Sequence, residues 1–406
     1  MDDPHPSSGP GARDAPPGPA ASPAPAGPGA RSSLALWLQR HWWTVPPTLA
    51  ARALAPLSWV YRVLEALQRR DAQRRRWRAR CPVLVVGNLV AGGAGKTPTV
   101  IALVQALRAA GWHPGVVSRG YGRATRGLHE VDAATPAATV GDEPWLIHRR
   151  TLAPVVVAER RTLAARELLR RHPEVDLLIA DDGLQHHALA RDAEVWVFDE
   201  RGVGNGMLLP AGPLRQPLPQ SLPPQAVVLY NAPRPSTPLR GALARRTLAG
   251  AALLADWQRG AAMDMAALKA LAGRPIPALA GIGAPDRFFD MLRDAGLTIE
   301  PLPLPDHARL DAAPWRAGTP EVVCTEKDAA KLVALGAGTT RVWVVGLDFR
   351  LPQGLVAAVQ RRLRIARRRR AHLDGEPGAA PVAAPADPDS PRTGRPASPP
   401  RRSAPR

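Results

Sequence analysis

A glycine-rich turn at residues 92–95, followed by Lys96 and Thr97, is the strongest chemical signal in the sequence. The apolar run before it predicts a buried strand at Val83–Val86, and a helix is predicted from Lys96 to about Ala110. Glycines let backbone N–H groups point into one concavity, and a helix N-terminus adds partial positive charge, so the pattern predicts a phosphate site. Lys96 would reach the β- and γ-phosphates of a nucleotide, and the Thr97 hydroxyl would ligate Mg²⁺. The residues predicted to contact ATP here are Gly92, Gly93, Ala94, Gly95, Lys96 and Thr97.

This loop departs from the strict P-loop pattern at one position. G-x-x-x-x-G-K-[ST] requires a glycine where this chain has Val90. A purely structural turn is the alternative interpretation. We favour the nucleotide site because Lys96 is one of only four lysines in a chain whose other basic side chains are arginines.

Paired carboxylates occur at two other places in the sequence, each beside a predicted element. Asp181 and Asp182 end the apolar run 177–180, which is where a P-loop protein carries the acid of its magnesium shell. Two adjacent carboxylates repel each other, so their pairing suggests a nearby cation. Asp142 and Glu143 stand just before a predicted helix, where one acid is explained by an N-cap and two suggest a functional role. The alternative at 181–182 is a capped turn.

Cationic and imidazole groups complete the set of candidates. The loop at 204–215 is rich in glycine and proline and delivers Arg215, which suits an anionic phosphate. His307 follows Asp306 in the C-terminal half, and its default interpretation is an ordinary surface histidine.

The elements that position these residues predict an α/β fold. Apolar runs alternate with helical segments from Cys81 onward, which is typical of a parallel sheet covered by helices. We predict a P-loop parallel-sheet core lobe at 81–224 and a second, smaller α/β lobe at 225–370. Tails at 1–32 and 371–406 are rich in Pro, Ala, Gly and Arg and are predicted to be disordered.

The net charge of +19 is concentrated at the two ends of the chain. Residues 1–80 carry 12 arginines against 5 acids, and residues 361–406 carry 12 arginines against 4 acids. The core is therefore nearly balanced, which suits an anionic membrane surface at least as well as nucleic acid. Cys81 and Cys324 form no CxxC pair, which argues against a zinc site or a disulfide framework.

Residues 33–80 predict an amphipathic, membrane-associating helical segment. Tryptophans and leucines alternate there with arginines, as in helices that lie in a membrane interface, and no run reaches the length of a transmembrane helix. A helical hairpin packed on the core is the alternative. No secretory signal is present in the first 30 residues, so we expect a cytoplasmic protein that associates peripherally with the membrane.

Taken together, the motifs resemble those of one family, the tetraacyldisaccharide 4′-kinases of lipid A biosynthesis in Gram-negative bacteria. The resemblance covers roughly residues 45–360. Ala91 and Ala94 depart from it, since threonines are common at those two loop positions. The matching stretches, in chain order, are VVGNLVAGGAGKTP, SRGYGR, VGDEP, DDGLQH, GNGMLLPAGPLR, GIGAPDRFF, PDH and TEKDAAKL.

The resemblance implies transfer of the ATP γ-phosphate to the 4′-hydroxyl of a lipid A disaccharide 1-phosphate at the cytoplasmic face of the inner membrane. It implies Asp142 as general base, paired with His307. It further implies that Thr97, Glu143, Asp181 and Asp182 manage Mg²⁺, and that Lys96, Arg161 and Arg215 neutralise phosphate charge.

A second function class stays open at the level of sequence: a basic P-loop ATPase that binds nucleic acid or a protein partner. Such a protein would need its cationic surface on the folded core, whereas the excess arginine lies at the chain ends. We therefore expect no nucleic-acid partner.

Overall fold

The computed structural model describes residues 37–374 except 307, 309 and 337, and this part of the chain contains two β-sheets. The strands of the first sheet are β1 (Val83–Gly87), β2 (Pro114–Ser118), β3 (His129–Val131), β4 (Val155–Val157), β5 (Leu177–Asp181), β6 (Ala193–Asp199), β7 (Ala226–Asn231) and β8 (Ala242–Leu243). Their order is β3-β4-β2-β5-β1-β6-β7-β8, and only β3 runs antiparallel to its neighbour.

Helices cover both faces of this sheet, which is why its central strands are apolar without alternation. Every residue of β1 and β5 is buried, as expected for parallel strands enclosed on both sides. Numbered along the chain, the helices are α1 (Leu49–Ala53), α2 (Ala55–Arg74), α3 (Lys96–Ala109), α4 (Ala137–Val140), α5 (Asp142–Thr151), α6 (Arg161–Arg171), α7 (Leu254–Gln258), α8 (Met265–Lys269), α9 (Pro285–Asp294), α10 (Glu326–Leu335) and α11 (Gln353–Asp374).

The second sheet is smaller and forms the other lobe. Its strands are β9 (Arg245–Leu253), β10 (Pro275–Ala280), β11 (Thr298–Pro303), β12 (Glu321–Thr325) and β13 (Arg341–Arg350). They lie in the order β11-β10-β12-β13-β9, parallel except for β9, which pairs antiparallel with β13.

The boundary between the lobes differs from the expected position after residue 224. Strand β7 pairs in parallel with β6 and continues the first sheet, which ends only at β8. The proline-rich stretch before β7 is therefore a loop of the first lobe.

The last helix also returns to the first lobe. Leu355, Val359 and Leu363 of α11 are buried in the core formed by α3 and the first sheet. These residues recur every four positions, so they form one apolar stripe on the helix. The expected C-terminal tail at 371–406 is helical to Asp374, and the remainder of both tails lies outside the described residues.

The N-terminal segment is helical, as predicted, and packs on the loop at 204–215. The Ser58 hydroxyl donates to the Leu208 carbonyl (2.8 Å) and Tyr61 donates to the Arg215 carbonyl (2.9 Å). The opposite face of α2 leaves large apolar side chains exposed: Leu57, Trp59, Val60, Val63, Leu64 and Leu67. Among the described helices, none has the length and apolar character needed to cross a bilayer.

Candidate active site

The phosphate loop connects β1 to α3 and turns through left-handed glycines. Gly95 has φ +86°, and a Cβ at this position would lie 2.1 Å from the Asn231 side-chain nitrogen, so only glycine fits. Lys96 begins α3 and is buried, with its ammonium 3.4 Å from the Gly92 carbonyl and 3.7 Å from an Asp182 oxygen. The helix N-terminus, the loop and Lys96 thus converge on one anion-binding concavity.

The segment at 208–215 braces this loop and explains the missing glycine. The Ala91 N–H donates to the Pro213 carbonyl and the Arg215 N–H donates to the Leu89 carbonyl, both at 2.7 Å. Between them Val90 forms a β-bridge with Leu214 and is fully buried. Position 90 is therefore a paired, strand-like residue that needs a side chain for packing.

Asp181 ends β5 beside the loop and is buried. One of its oxygens accepts from the Ser118 hydroxyl (3.1 Å), while the other has no hydrogen-bond partner among the described residues. Burial, reinforced by the nearby Glu143 and Asp182 charges, raises the pKa of Asp181 to about 7. A buried carboxylate oxygen without a donor fits a cation ligand.

Asp182 follows Asp181 in the same turn and has a left-handed backbone conformation, with φ +46°. Burial acts to raise its pKa, but the charges of Lys96, Arg215 and Arg161 hold the pKa below the ordinary aspartate value. The two neighbouring acids therefore differ in their environments, and Asp182 is the one held ionised by cations.

The two predicted phosphate-binding arginines occupy different surroundings. Arg215 lies 3.4 Å from Asp182 and donates to the Gln185 side chain at 3.1 Å, so it faces the carboxylate pair. Arg161 is buried and donates to the backbone carbonyls of Asp181 (3.1 Å) and Asp182 (2.7 Å). Its guanidinium thus holds the turn that carries both acids.

Asp142 and Glu143 begin α5 and face two lysines of the second lobe. The Lys331 ammonium lies 3.5 Å from Asp142, and the Lys327 ammonium lies 3.6 Å from Glu143. Lys327 also donates to Asp306 at 2.7 Å. Burial lowers the pKa of Lys327, but the Glu143 and Asp306 carboxylates outweigh it and raise the pKa above the ordinary lysine value. His307, the expected partner of Asp142, lies outside the described residues.

A cleft of about 270 Å³ separates the phosphate loop from the second lobe. Lys96, Thr97 and Glu143 line one side of it, and Asp306 and Lys327 line the other. Clusters of three or more His, Cys, Asp or Glu with the geometry to hold a metal by themselves are not found among the described residues. Mg²⁺ in kinases is held by one or two carboxylates together with the substrate phosphates, so this finding agrees with the donor set present.

Sequence reasoning did not assign roles to the lysines of α10 or to the residues that brace the phosphate loop. The stretch TEKDAAKL contains two of the four lysines of the chain, which was the available signal. Arg201 donates to the Gly93 carbonyl at 2.6 Å and pairs with Asp199. It does not belong to a recognisable sequence motif.

A parallel sheet with a glycine-rich loop between its central strand and a helix, and a carboxylate pair at the end of the adjacent strand, defines the P-loop class of nucleotide-binding proteins. The sequence profile of LpxK, described as tetraacyldisaccharide-1-P 4′-kinase, matches residues 50–364. The chain belongs to this family.

Individual relatives agree with that assignment. The chain is 52% identical over 341 residues to the tetraacyldisaccharide 4′-kinase of Methylibium petroleiphilum, which covers 82% of this chain and 95% of that protein. Identity to the protein of the same name from Leptothrix cholodnii is 51% over 315 residues, which covers 74% and 90%. The family inferred from the motifs is thus confirmed.

A solved structure shows that the fold is shared. The crystal structure of LpxK from Aquifex aeolicus in complex with ATP superposes with a TM-score of 0.61, covering 77% of this chain and 99% of that chain at 23% identity. The predicted α/β fold with a P-loop parallel-sheet core is confirmed.

Proposed function

We propose that this protein transfers the γ-phosphate of ATP to the 4′-hydroxyl of a tetraacyldisaccharide 1-phosphate, a lipid A precursor. The observation that carries the proposal is that Lys96, which lines the cleft together with Glu143, lies 3.7 Å from Asp182 of the Asp181-Asp182 pair. Family membership supplies the identity of the acceptor.

ATP is the phosphate donor and would place its phosphates on the backbone of residues 92–95. Lys96 would exchange its contacts with the Gly92 carbonyl and Asp182 for phosphate oxygens. Thr97, Glu143, Asp181 and Asp182 would hold Mg²⁺, with the unpartnered Asp181 oxygen as the best-prepared ligand. Bound there, the ion would neutralise charge on the β- and γ-phosphates.

Asp142 is the proposed general base. As the acceptor oxygen forms its bond to the γ-phosphorus and the bond to the ADP oxygen breaks, the Asp142 carboxylate takes the hydroxyl proton. Lys331, 3.5 Å away, favours the ionised form that can accept it. His307 would share or relay this proton.

The two arginines have different proposed roles. Arg215 neutralises charge beside the phosphates, since its guanidinium lies 3.4 Å from Asp182, the acid next to Lys96. Arg161, predicted to contact phosphate, is better suited to position the Asp181-Asp182 turn because its donors are engaged by that turn's carbonyls.

The lipid acceptor would be met at the cytoplasmic face of the inner membrane, through the exposed apolar face of α2. Trp59 is 68% exposed there and Leu64 and Leu67 are each 54% exposed, a pattern that suits burial in an interface. Because α2 bonds to the 208–215 loop, the acceptor would be delivered beside the phosphate loop.

The decisive experiment is incubation of the purified protein with ATP, Mg²⁺ and a tetraacyldisaccharide 1-phosphate dispersed in detergent. We expect a bisphosphorylated product that requires both ATP and Mg²⁺ and that the Lys96→Met variant does not form. Absence of product, combined with ATP hydrolysis stimulated by DNA, would overturn the proposal in favour of a nucleic-acid-dependent ATPase.

A further inference from the structure

A second cavity lies on the first lobe, on the other side of the wall that carries Asp182 and Arg215. Its volume is about 1030 Å³, and it is enclosed by the end of α2, residues 184–194, the proline-rich stretch 216–225 and α11. Leu184 and Gln216 line this groove, whereas their neighbours Gln185 and Arg215 bond to each other in the active site.

The groove is strongly basic. Seven arginines and two carboxylates are among its lining residues, which leaves five unbalanced positive charges. The carboxylates are already engaged, since Asp192 pairs with Arg370 at 2.8 Å and Glu194 lies 3.7 Å from Arg191. Any further anion would therefore have to come from outside this part of the chain.

Three of the lining arginines have no partner among the described residues. Arg69 lies in α2, Arg76 lies two residues beyond the end of α2, and Arg369 lies in α11, all three exposed and without an ion pair or side-chain hydrogen bond there. They come from opposite walls of the groove. Guanidinium groups that converge from two sides suit a tetrahedral phosphate, which accepts several charge-assisted hydrogen bonds at once.

His187 and Gln216 add neutral polar atoms at the floor of the groove. The Nε2 atom of His187 and the Oε1 atom of Gln216 are buried without a hydrogen-bond partner among the described residues. Burial, together with the charges of Arg191, Arg69 and Arg76, lowers the pKa of His187 to about 4. The imidazole is therefore neutral at pH 7, with the Glu65 carboxylate 3.8 Å from its Nε2 atom as the nearest acidic group.

We propose that this groove binds the phosphate headgroup of an anionic membrane lipid, at a site separate from the active site. The exposed apolar side chains Trp59, Val63 and Leu67 precede Arg69 on α2 by between two and ten residues, which is at most about three helical turns. A headgroup in the groove would thus lie at the edge of the surface proposed to face the bilayer. The inference rests on that membrane contact and not on the kinase reaction.

The lining favours a headgroup over a nucleic acid. Among the described lining residues, Trp196 is the one Trp, Tyr or Phe, and it is 3% exposed with its indole N–H donated to Glu194. Single-strand binders need exposed aromatic faces on which bases stack. The groove offers cations without such faces.

The test compares two charge-matched triple variants in vesicle co-sedimentation. Arg69→Gln/Arg76→Gln/Arg369→Gln removes the free groove arginines, and Arg126→Gln/Arg240→Gln/Arg316→Gln removes exposed arginines elsewhere. With vesicles of phosphatidylglycerol and phosphatidylethanolamine, we expect the groove variant to bind roughly 100-fold more weakly, from about fivefold per arginine at a membrane surface. The control should stay within about threefold of the wild type.

Equal losses in the two variants would overturn the proposal, because net charge alone would then explain the binding. A second outcome is that calorimetry shows binding of inorganic pyrophosphate in the groove while the groove variant binds vesicles like the wild type. The groove would then be a site for a soluble phosphate compound, and the lipid assignment would be overturned. Both variants should phosphorylate the detergent-dispersed disaccharide like the wild type, since none of these arginines lies in the active site. Failure of the wild type in that assay would refute the kinase proposal and leave the vesicle comparison intact.

A soluble lipid gives an independent readout at the floor of the groove. Dihexanoyl phosphatidylglycerol below its micelle concentration should raise the pKa of His187, followed by NMR of its ring protons, because a bound anion offsets the arginine charges. An unchanged pKa at saturating lipid would contradict occupation of the groove.

Discussion

At the scale of single residues, Asp181 combines a structural cost with a proposed function. Its pKa of about 7 lies above the ordinary aspartate value, so folding takes up a proton between about pH 4 and pH 7. The folded state is therefore favoured at low pH, and this contribution is lost as the pH rises through 7. A buried charge that costs stability and stays in the protein is typical of functional sites.

The Asp181→Asn variant should be more stable than the wild type when Mg²⁺ is removed with EDTA. We expect the gain in free energy of unfolding to grow from pH 4 to pH 7 and to level off at roughly 2–4 kcal/mol by pH 8. Denaturant titrations at several pH values measure it. MgATP should stabilise the wild type and not the variant, and a variant that is less stable at pH 8 would contradict the argument.

Asp142 can be tested as the base without removing the carboxylates assigned to Mg²⁺. Asp142→Asn should lower kcat by about 10²–10⁴, the usual range for loss of acid–base assistance, with little change in the KM for ATP. Steady-state phosphorylation of the disaccharide measures both constants. Asp256→Asn, at a partly exposed acid of the second lobe, serves as the control, and equal kcat values in the two variants would refute the assignment.

At the scale of elements, α2 joins an exposed apolar face to the active-site loops. The triple variant Val60→Ser/Leu64→Ser/Leu67→Ser should weaken binding to lipid vesicles at least tenfold, because each side chain loses apolar area that the interface would bury. Vesicle flotation measures the change.

The matched control for α2 is Leu163→Ser/Leu243→Ser/Met265→Ser, which removes exposed apolar side chains from other elements. Its vesicle binding should stay close to that of the wild type, and both variants should unfold at similar temperatures. Similar losses of binding in both would show that α2 is not a specific contact.

Strands, helices and loops could be predicted from the sequence where adjacent residues alone specify them. Apolar runs such as 83–86 and 177–180 specify buried strands, and Gly95 with Lys96 specifies the phosphate loop. Pairings between distant segments were not predictable. Val90 departs from the motif because it forms a β-bridge with Leu214. Such a pairing between two distant loops leaves no pattern in the sequence of either loop.

The same limit explains the boundary and the site residues that were missed. The stripe Leu355, Val359 and Leu363 shows that α11 has an apolar face but not which lobe it covers. Lys327 and Lys331 belong to α10 in the second lobe and reach α5 only because the lobes pack together. Such contacts depend on the arrangement of the whole chain.

At the scale of the whole molecule, the lobes are joined by contacts close to the active site. The Arg149 guanidinium stacks on Trp257 at 4.2 Å from its ring centroid, and Arg150 pairs with Glu326 at 2.6 Å. Trp145 and Trp257, one from each lobe, also pack with ring centroids 5.8 Å apart. The lobes should therefore unfold as one cooperative unit.

Removing the two arginines should separate the lobes. In Arg149→Met/Arg150→Met we expect the single calorimetric transition to split into two, because the contacts that couple the lobes are weakened. Arg170→Met/Arg293→Met, at exposed arginines paired within their own helices, should keep one transition. A single unshifted transition in the first variant would contradict the coupling.

The return of α11 to the first lobe also affects how the chain folds as it is synthesised. Translation produces the first sheet early, but its covering helix is made only after the entire second lobe, whose own elements are contiguous from β9 to β13. On the ribosome the second lobe can complete its core while part of the first remains uncovered. Protease digestion of stalled nascent chains in which residues up to about 352 have emerged from the ribosome should therefore find the second lobe protected and the first still susceptible. The lobe that is started first is completed last.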